Sequence, residues 1–164
     1  MRRWFRSIAT STLLLSLAAV PAAAQVCKPV NGHFEAVVVP PGEGHCPSDP
    51  SAFCTAGRVW GGIHGTYEFV MTGATPSVLI GGVPTVLFFT GQSIVSLQNG
   101  DQVFGTDTGS IDLPPGQGGF ASLITFMGGT GDALSTTGQI RLRGEFSAAE
   151  GTTAGDYTGK LCTP

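Results

Sequence analysis

The sequence is poor in charged residues. Asp, Glu, Lys and Arg make up 12% of its 164 residues, about half of the ~25% found in typical globular domains. An amphipathic helix needs long-chain and charged residues at a spacing of 3.6, and no segment supplies them. The chain has 25 glycines instead, together with many threonines and serines. This composition is typical of strands and turns, and it predicts an all-β protein.

The sequence also lacks a run of basic residues. Three of its eight Lys and Arg residues are Arg2, Arg3 and Arg6; without them, five basic residues stand against eleven acidic ones, a net charge of −6. This balance argues against binding to nucleic acid or to an anionic membrane surface. After residue 24 there is no apolar run of the ~20 residues that a transmembrane helix needs. We therefore expect no nucleic-acid partner and no membrane span after residue 24.

Residues 1–24 have the features of a secretory signal peptide. The three arginines precede an apolar run at residues 8–20, and Ala22-Ala23-Ala24 provides a cleavage site of the A-x-A type. A membrane anchor is the disfavoured alternative, because the run is shorter than the ~20 residues of a span. We predict a signal peptide over 1–24 and one domain over 25–164, secreted or periplasmic in a bacterium.

The strongest structural signal is a β-hairpin. Residues 85–98 and 102–112 are rich in β-branched and aromatic side chains, and Asn99-Gly100 lies between them. Asn-Gly is typical of a two-residue type I′ turn, in which both residues have positive φ. Residues 86–97 carry no charge, and an uncharged edge strand would invite aggregation. Pairing on both sides of this strand is therefore favoured.

Turn signals divide the rest of the chain into further strands. A long loop at 40–57 follows the first strand, and glycines at 61, 62 and 65 bend or split the second. The predicted strands are residues 32–39, 58–73, 77–80, 120–127, 139–146 and 156–162. Eight or so strands in one small domain indicate a sandwich or a closed barrel, and the uncharged strand favours closure.

The cysteines also favour closure. They are Cys27, Cys46, Cys54 and Cys162. An even number of cysteines in an exported chain indicates disulfides. Cys46 and Cys54 bracket a short loop, whereas Cys27 and Cys162 meet if the first and last strands are neighbours; we predict these two bridges, each contributing ~2–5 kcal/mol. The alternative, a metal site formed by Cys46, Cys54, His45 and His33, matches no zinc spacing, so no metal is expected.

Four short motifs, three of which contain glycine, follow in order in the C-terminal half. They are Phe120-Ala121-Ser122-Leu123, Gly129-Thr130-Gly131 with Gly138 seven residues later, Gly144, and Tyr157-Thr158-Gly159. Together they resemble the allene oxide cyclase-like barrel superfamily, which includes plant dirigent proteins and bacterial secreted proteins. The resemblance covers roughly residues 84–162, and Ala133 and Thr136 depart from the pattern. It implies an eight-stranded antiparallel β-barrel with a hydrophobic central cavity, often dimeric or trimeric.

Three aspartates cluster around the hairpin: Asp101, Asp107 and Asp112. Their spacing does not fit a calcium loop, and solvation of the hairpin is the favoured interpretation. Asp107 lies in mid-strand; if it faced a barrel interior, desolvation would raise its pKa and suit it to acid–base work. The sequence has no nucleophile elbow and no phosphate-binding loop.

Two strands carry charged faces. Arg58, His64 and Glu68 share a face with Trp60, and Arg141 shares another with Arg143 and Glu145. Alternation in antiparallel sheets favours these as the outer, solvated faces; turned inward, they would form a polar network able to hold a carboxylate or carbonyl ligand. The candidate catalytic residues are Asp107, Glu68 and Arg141. The candidate ligand-binding residues are Trp60, His64, Tyr67, Phe88 and Phe104.

Three functions stay open. The first is an exported, non-enzymatic barrel that binds a small hydrophobic molecule or serves as an envelope structural module. The second is a dirigent- or cyclase-like protein that steers cyclisation or coupling in its cavity, which needs shape and one or two polar groups. The third is an adhesion or interaction module that uses the loop at 40–57. No cofactor is expected, and a homo-oligomer is a further possibility.

The barrel interior separates these functions. If Glu68, Asp107 and Arg141 point inward around a cavity of ~300 Å³ or more, a binder or catalyst is favoured. If phenylalanine and leucine fill the barrel, the interaction module is favoured.

Overall fold

Strands account for most of the chain in the computed structural model, which describes residues 25–113 and 118–163. The strands are β1 (Val26–Val39), β2 (Cys54–Gly61), β3 (Gly65–Pro76), β4 (Leu79–Ile80), β5 (Val83–Pro84), β6 (Val86–Leu97), β7 (Gln102–Asp112), β8 (Gly119–Gly129), β9 (Thr137–Ser147) and β10 (Thr152–Thr163). One 3-10 turn, Gly131–Ala133, lies between β8 and β9. No helix among the described residues has the length and hydropathy that a membrane crossing requires.

Eight of these strands close into an antiparallel barrel. Their order around it is β1-β10-β9-β8-β7-β6-β3-β2, and β4 and β5 form a separate small hairpin. Closure occurs between the first and last strands, where Cys27 lies opposite Cys162 and is bonded to it. The second disulfide joins Cys46 and Cys54. The predicted barrel and both predicted bridges are confirmed.

The central hairpin is confirmed, but its turn is not of type I′. Asn99 has a negative φ, and within the turn only Gly100 is positive, at 90°. The Gly100 N–H donates to the Leu97 carbonyl and the Leu97 N–H donates to the Asp101 carbonyl, as in a type I turn followed by a left-handed glycine. The Asn99 amide instead donates to the Asp101 carboxylate at 2.8 Å.

Several strand boundaries differ from the prediction. The predicted strand 77–80 is limited to Leu79–Ile80. Elsewhere neighbouring strands extend the predicted ones, as at β10, which begins at Thr152 opposite Val37. β1 begins six residues early, since Val26 pairs with Thr163 at the end of β10. β2 begins at Cys54, which pairs with Val39, so the irregular segment covers only 40–53. The predicted strand over 58–73 is split at residues 62–64, as its glycines allowed.

The core is the inner face of the barrel. Alternate residues of each strand point inward, and the largest fully buried side chains include Tyr157, Phe34 and Ile124. Both charged faces lie outside: Arg58, Arg141, Arg143 and Glu145 are exposed, and Glu68 is partly exposed. The favoured interpretation of these faces is therefore confirmed.

The two ends of the barrel differ. The loop end carries the segment 40–53 with its disulfide and the turn between β9 and β10. His45 fixes this segment to β3, because its Nε2 lies 3.1 Å from the Phe69 carbonyl oxygen. The terminal end carries the Cys27–Cys162 bridge, the turn between β2 and β3, and the central hairpin turn.

Candidate functional site

Four neighbouring strands place polar side chains together inside the barrel. Tyr67 on β3, Ser93 on β6, Asp107 on β7 and Ser122 on β8 all point inward and are buried. Asp107 is 1% exposed. Among the residues that the structure describes, Asp107 carries the only carboxyl group in the buried core. The interpretation of Asp107 as a solvated hairpin residue is therefore wrong.

Hydroxyl groups surround the Asp107 carboxyl. The Ser122 hydroxyl donates to Oδ1 at 2.5 Å, and the Ser93 hydroxyl donates to Oδ2 at 3.0 Å. The Tyr67 hydroxyl is a longer partner, 3.4 Å from Oδ2. No Lys, Arg or His of the described residues lies within ion-pair distance of Asp107. The carboxyl is thus hydrogen-bonded but has no neutralising cation.

Burial sets the protonation behaviour of this cluster. Desolvation raises the pKa of Asp107, and hydrogen bonds from Ser122, Ser93 and Tyr67 offset part of that rise. Desolvation also raises the pKa of Tyr67, and the nearby Asp107 charge raises it further. Compared with a solvated aspartate, Asp107 therefore keeps its proton to higher pH, and Tyr67 stays a neutral hydroxyl. Such a group can donate or accept a hydrogen bond within an apolar site.

A phenylalanine-lined cavity lies between this cluster and the loop end. Its free volume is about 20 Å³, which is room for about one water molecule. Asp107 and Tyr67 are part of its wall. Six phenylalanines also line it: Phe34, Phe53, Phe69, Phe89, Phe120 and Phe146. The cavity is far smaller than the ~300 Å³ of a typical ligand pocket. Of the three candidate catalytic residues only Asp107 points inward, and phenylalanine rings fill this end of the barrel. By size alone the interior therefore favours an interaction module, and the case for binding rests on the buried Asp107.

The rings pack against one another around this cavity. The Phe89 ring stacks on Phe120 with centroids 6.0 Å apart and meets Phe69 edge-on at 5.4 Å. Phe53, which lies outside the strands, meets Phe146 edge-on at 6.0 Å. Each such pair contributes ~0.5–1.5 kcal/mol beyond the burial of area. The rings nearest the solvent are therefore held by modest contacts.

Inward-facing glycines make room for these rings. A Cβ atom at Gly91 would lie 2.2 Å from a ring carbon of Phe69, and one at Gly109 would lie 2.4 Å from a ring carbon of Phe89. Both distances are far below van der Waals contact. The glycines beside Asp107 on β6 and β7 therefore let the aromatic rings lie directly against the backbone.

A second cavity, of about 210 Å³, opens at the terminal end. Most of its wall is apolar. The lining includes Ile63, Val95, Leu97, Val103, Phe126 and Leu161, with His64 and Thr136. It contains no carboxyl group. The two ends thus differ in chemistry: a carboxyl among hydroxyls at one, and nearly continuous hydrocarbon at the other.

The predicted site residues divide into two groups. Asp107 and Tyr67 come together inside the barrel. Outside it lie Glu68, Arg141, Trp60, Phe88 and Phe104, of which Phe88 is 53% exposed. His64 is exposed between β2 and β3 and lines the second cavity. Sequence reasoning missed Ser93 and Ser122. Each is a single hydroxyl in an inward row of apolar residues and glycine, Phe89-Gly91-Ser93-Val95 on β6 and Phe120-Ser122-Ile124-Phe126 on β8, and that interruption was the available signal.

The barrel has the eight antiparallel strands implied by the resemblance to allene oxide cyclase-like and dirigent proteins. Among solved structures it is similar to the pterocarpan synthase dirigent protein GePTS1, with a TM-score of 0.47 and 11% sequence identity. The alignment covers 88% of this chain and 89% of that chain. No protein-family model and no curated protein matches the sequence.

Proposed function

We propose that the protein binds a small, planar, apolar molecule that carries one polar group, at the loop end of the barrel. The observation that supports this function is the position of Asp107, a buried carboxyl that forms part of the wall of the phenylalanine-lined cavity. Aromatic rings match the flat apolar part of such a molecule. The carboxyl and the hydroxyls around it match its polar group.

The cost of burying Asp107 favours a role in binding. A carboxyl in a core without a cation loses its hydration, and a hydrophobic residue of similar volume there is often neutral or stabilising. The three hydroxyls lower this cost and leave the group able to exchange partners. A ligand hydroxyl or carbonyl that reaches the cavity can join the cluster without breaking any backbone hydrogen bond.

Entry of a ligand requires movement of aromatic rings, because the cavity holds only about 20 Å³. Phe53 is the ring best placed to move, since it is half-buried, lies outside the strands and packs edge-on against Phe146. Loss of that ring contact costs ~0.5–1.5 kcal/mol. A bound planar ligand restores comparable contacts with the rings that remain. The adjacent Cys46–Cys54 bridge limits how far the segment opens.

A matched pair of probes tests this function. We expect 1-naphthol to bind the mature protein about tenfold more tightly than naphthalene in titration calorimetry, because one added hydrogen bond to a charged or acidic group contributes ~1.5 kcal/mol. Asp107→Leu removes this preference, and Glu68→Gln, which alters a carboxylate on the outer face of a barrel strand, keeps it. Phe53→Trp narrows the entrance and weakens both probes. Equal binding of naphthol and naphthalene by the unmodified protein would contradict the proposal.

A second function is supported by the proton held at Asp107. A carboxyl with a raised pKa beside a ligand can protonate it or stabilise a developing charge. The barrel would then steer the cyclisation or coupling of a bound intermediate. Native mass spectrometry of protein isolated from its own source separates the two functions: a binder releases its small molecule unchanged, whereas a catalyst releases a product whose formation Asp107→Asn abolishes without preventing binding.

We also propose that the chain is exported. The two disulfides support this, because such bridges persist in oxidising compartments. The predicted signal peptide lies outside the described residues. Intact-mass measurement of protein recovered from the periplasm or medium should give a chain that begins at Gln25. Recovery of the chain with Met1 from the cytoplasm, with four reduced cysteines, would contradict export.

A further inference from the structure

The outer surface of β1, β2 and β10 carries an exposed aromatic platform that the proposed binding function does not use. Trp60 on β2 is 39% exposed. Its cross-strand partner is His33, with ring centroids 5.9 Å apart and planes 35° from parallel. Asp156 on β10 pairs with His33 from the other side, and its Oδ1 lies 2.5 Å from His33 Nδ1. Both side chains of this contact are largely exposed.

Trp60 lines an open surface groove of about 530 Å³, whose other walls are part polar and part apolar. Glu35 and Arg58, which pair across β1 and β2, are on its walls together with Thr66 and Gln98. Neither charged group has an ion-pair partner within 4 Å among residues 25–113 and 118–163. The groove therefore offers a guanidinium donor, a carboxylate acceptor and neutral hydroxyl and amide groups, all available to a ligand.

Contacts from Tyr157 and Gly32 position the Trp60 backbone. The buried Tyr157 hydroxyl lies 3.4 Å from the Trp60 carbonyl oxygen and 3.3 Å from that of Ile63, and it accepts the Ile63 N–H at 2.7 Å. Gly32 lies so close beneath that a Cβ there would be 2.0 Å from the Trp60 carbonyl oxygen. A preorganised backbone lowers the entropic cost of binding at the surface.

We propose that this surface, the Trp60 platform, binds a neutral saccharide. An aromatic face packs against the C–H face of a pyranose ring, and side chains that both donate and accept hydrogen bonds match its hydroxyls. Glu35 and Arg58 cancel in formal charge, which suits an uncharged ligand, and the net charge of −6 for residues 25–164 disfavours an acidic one. A polyproline peptide also packs on tryptophan, but it has few groups to pair with a carboxylate and a guanidinium.

Trp60 is also the direct reporter of binding. The sequence has two tryptophans, and the other, Trp4, lies in the predicted signal peptide. In the mature protein the tryptophan fluorescence therefore comes from Trp60 alone. Titration with cellohexaose, laminarihexaose, chitohexaose and mannohexaose should give a saturable blue shift with at least one of the four. An oligogalacturonate of similar length should bind more weakly.

Variants at matched exposed positions provide the control. Trp60→Ala should weaken the responsive sugar by about tenfold or more in calorimetry, as expected for a tryptophan at the centre of a contact surface. Arg58→Gln should weaken it less. Phe104→Ala removes a ring of similar exposure, 37%, from the outer face of β7 and should change nothing. If Trp60→Ala fails to fold by circular dichroism, Trp60→Phe gives the same test with partial loss.

Three results would overturn the proposal: no fluorescence response to any of the four sugars, unchanged sugar affinity in Trp60→Ala, or saturable binding of decaproline in place of the sugars. Naphthol binding at the loop end reports on a different surface. Failure of one site therefore leaves the other distinguishable.

Discussion

The barrel contains two buried polar clusters, one toward each end, and they are satisfied in different ways. Tyr157, near the terminal end, bonds to backbone groups of Ile63 and Trp60. Asp107, facing the loop end, bonds mainly to the side-chain hydroxyls of Ser93, Ser122 and Tyr67. A side chain that satisfies backbone groups fixes a turn. One that is satisfied by rotatable hydroxyls can exchange a partner for a ligand, so the first cluster is structural and the second is suited to binding.

The disulfides show the largest difference between the two ends. The Cys27–Cys162 bridge closes a loop of 135 residues, whereas Cys46–Cys54 closes one of 8. By loop-closure entropy, replacing the first pair with serine should lower the free energy of unfolding by about 5 kcal/mol, and replacing the second by about 2.5 kcal/mol. Urea unfolding of the two double variants measures both values. Equal losses would show that the bridges act through the folded state instead.

The next effect compares the two tyrosines. Tyr157→Phe leaves the buried Ile63 N–H without its acceptor, so the free energy of unfolding should fall by about 2 kcal/mol. Tyr67→Phe removes the longest contact to Asp107, while the two serines stay in place, and should cost less than about 1 kcal/mol. Both are read from urea unfolding at one pH. A larger loss for Tyr67→Phe would contradict the division into a structural and an adaptable cluster.

A pH series examines Asp107 itself. The pKa of Asp107 is raised in the folded state above the ordinary value of an aspartate, so the folded protein binds the proton more tightly than the unfolded chain. The stabilising contribution of that proton is complete below pH ~4 and is lost as pH rises through the folded pKa. Asp107→Asn lacks this titration, and so its stability relative to the unmodified protein should increase from pH 4 to pH 8.

The control for this series is a charged side chain on the outer face of the barrel. Arg141→Gln should show a stability difference that changes little over the same range, because an arginine stays charged throughout it. A flat difference for Asp107→Asn as well would mean that the Asp107 carboxyl titrates like a solvated one.

The smallest effects belong to the outer face. Glu68→Gln and Arg141→Gln change partly or fully solvated side chains, and each should alter the free energy of unfolding by less than about 0.5 kcal/mol. Neither should alter the binding of naphthol. Loss of naphthol binding in either variant would indicate that naphthol binds outside the barrel interior.

The fold was predictable because its signals are local. The β6–β7 hairpin follows from β-branched and aromatic runs on either side of Asn99-Gly100, and the bridge between Cys27 and Cys162 follows from strands that meet at the chain ends. The turn type was not predictable from the dipeptide alone. In the structure Asn99 has a negative φ, and its side chain hydrogen-bonds to Asp101. This contact involves a residue outside the Asn99-Gly100 dipeptide.

The candidate site was harder to predict because glycines interrupt the alternation of apolar and polar residues around it. On β7 the inward positions are Val103, Gly105, Asp107, Gly109 and Ile111. Only Val103 and Ile111 are large and apolar. The glycines on either side of Asp107 are typical of turns, although strict alternation places Asp107 inside the barrel. The size of the cavity could not be predicted at all, because it depends on how six rings from different strands pack together.

The most direct test of the account is carbon-13 NMR of the Asp107 side-chain carboxyl, assigned by comparison with Asp107→Asn. The account predicts that this carboxyl titrates above the range of solvated aspartates. It also predicts that 1-naphthol raises the pKa or changes the chemical shift of this carboxyl more than naphthalene does at equal occupancy, because only naphthol can hydrogen-bond to it. An Asp107 carboxyl that titrates in the ordinary range of solvated aspartates, and is unaffected by naphthol, would contradict the buried binding site.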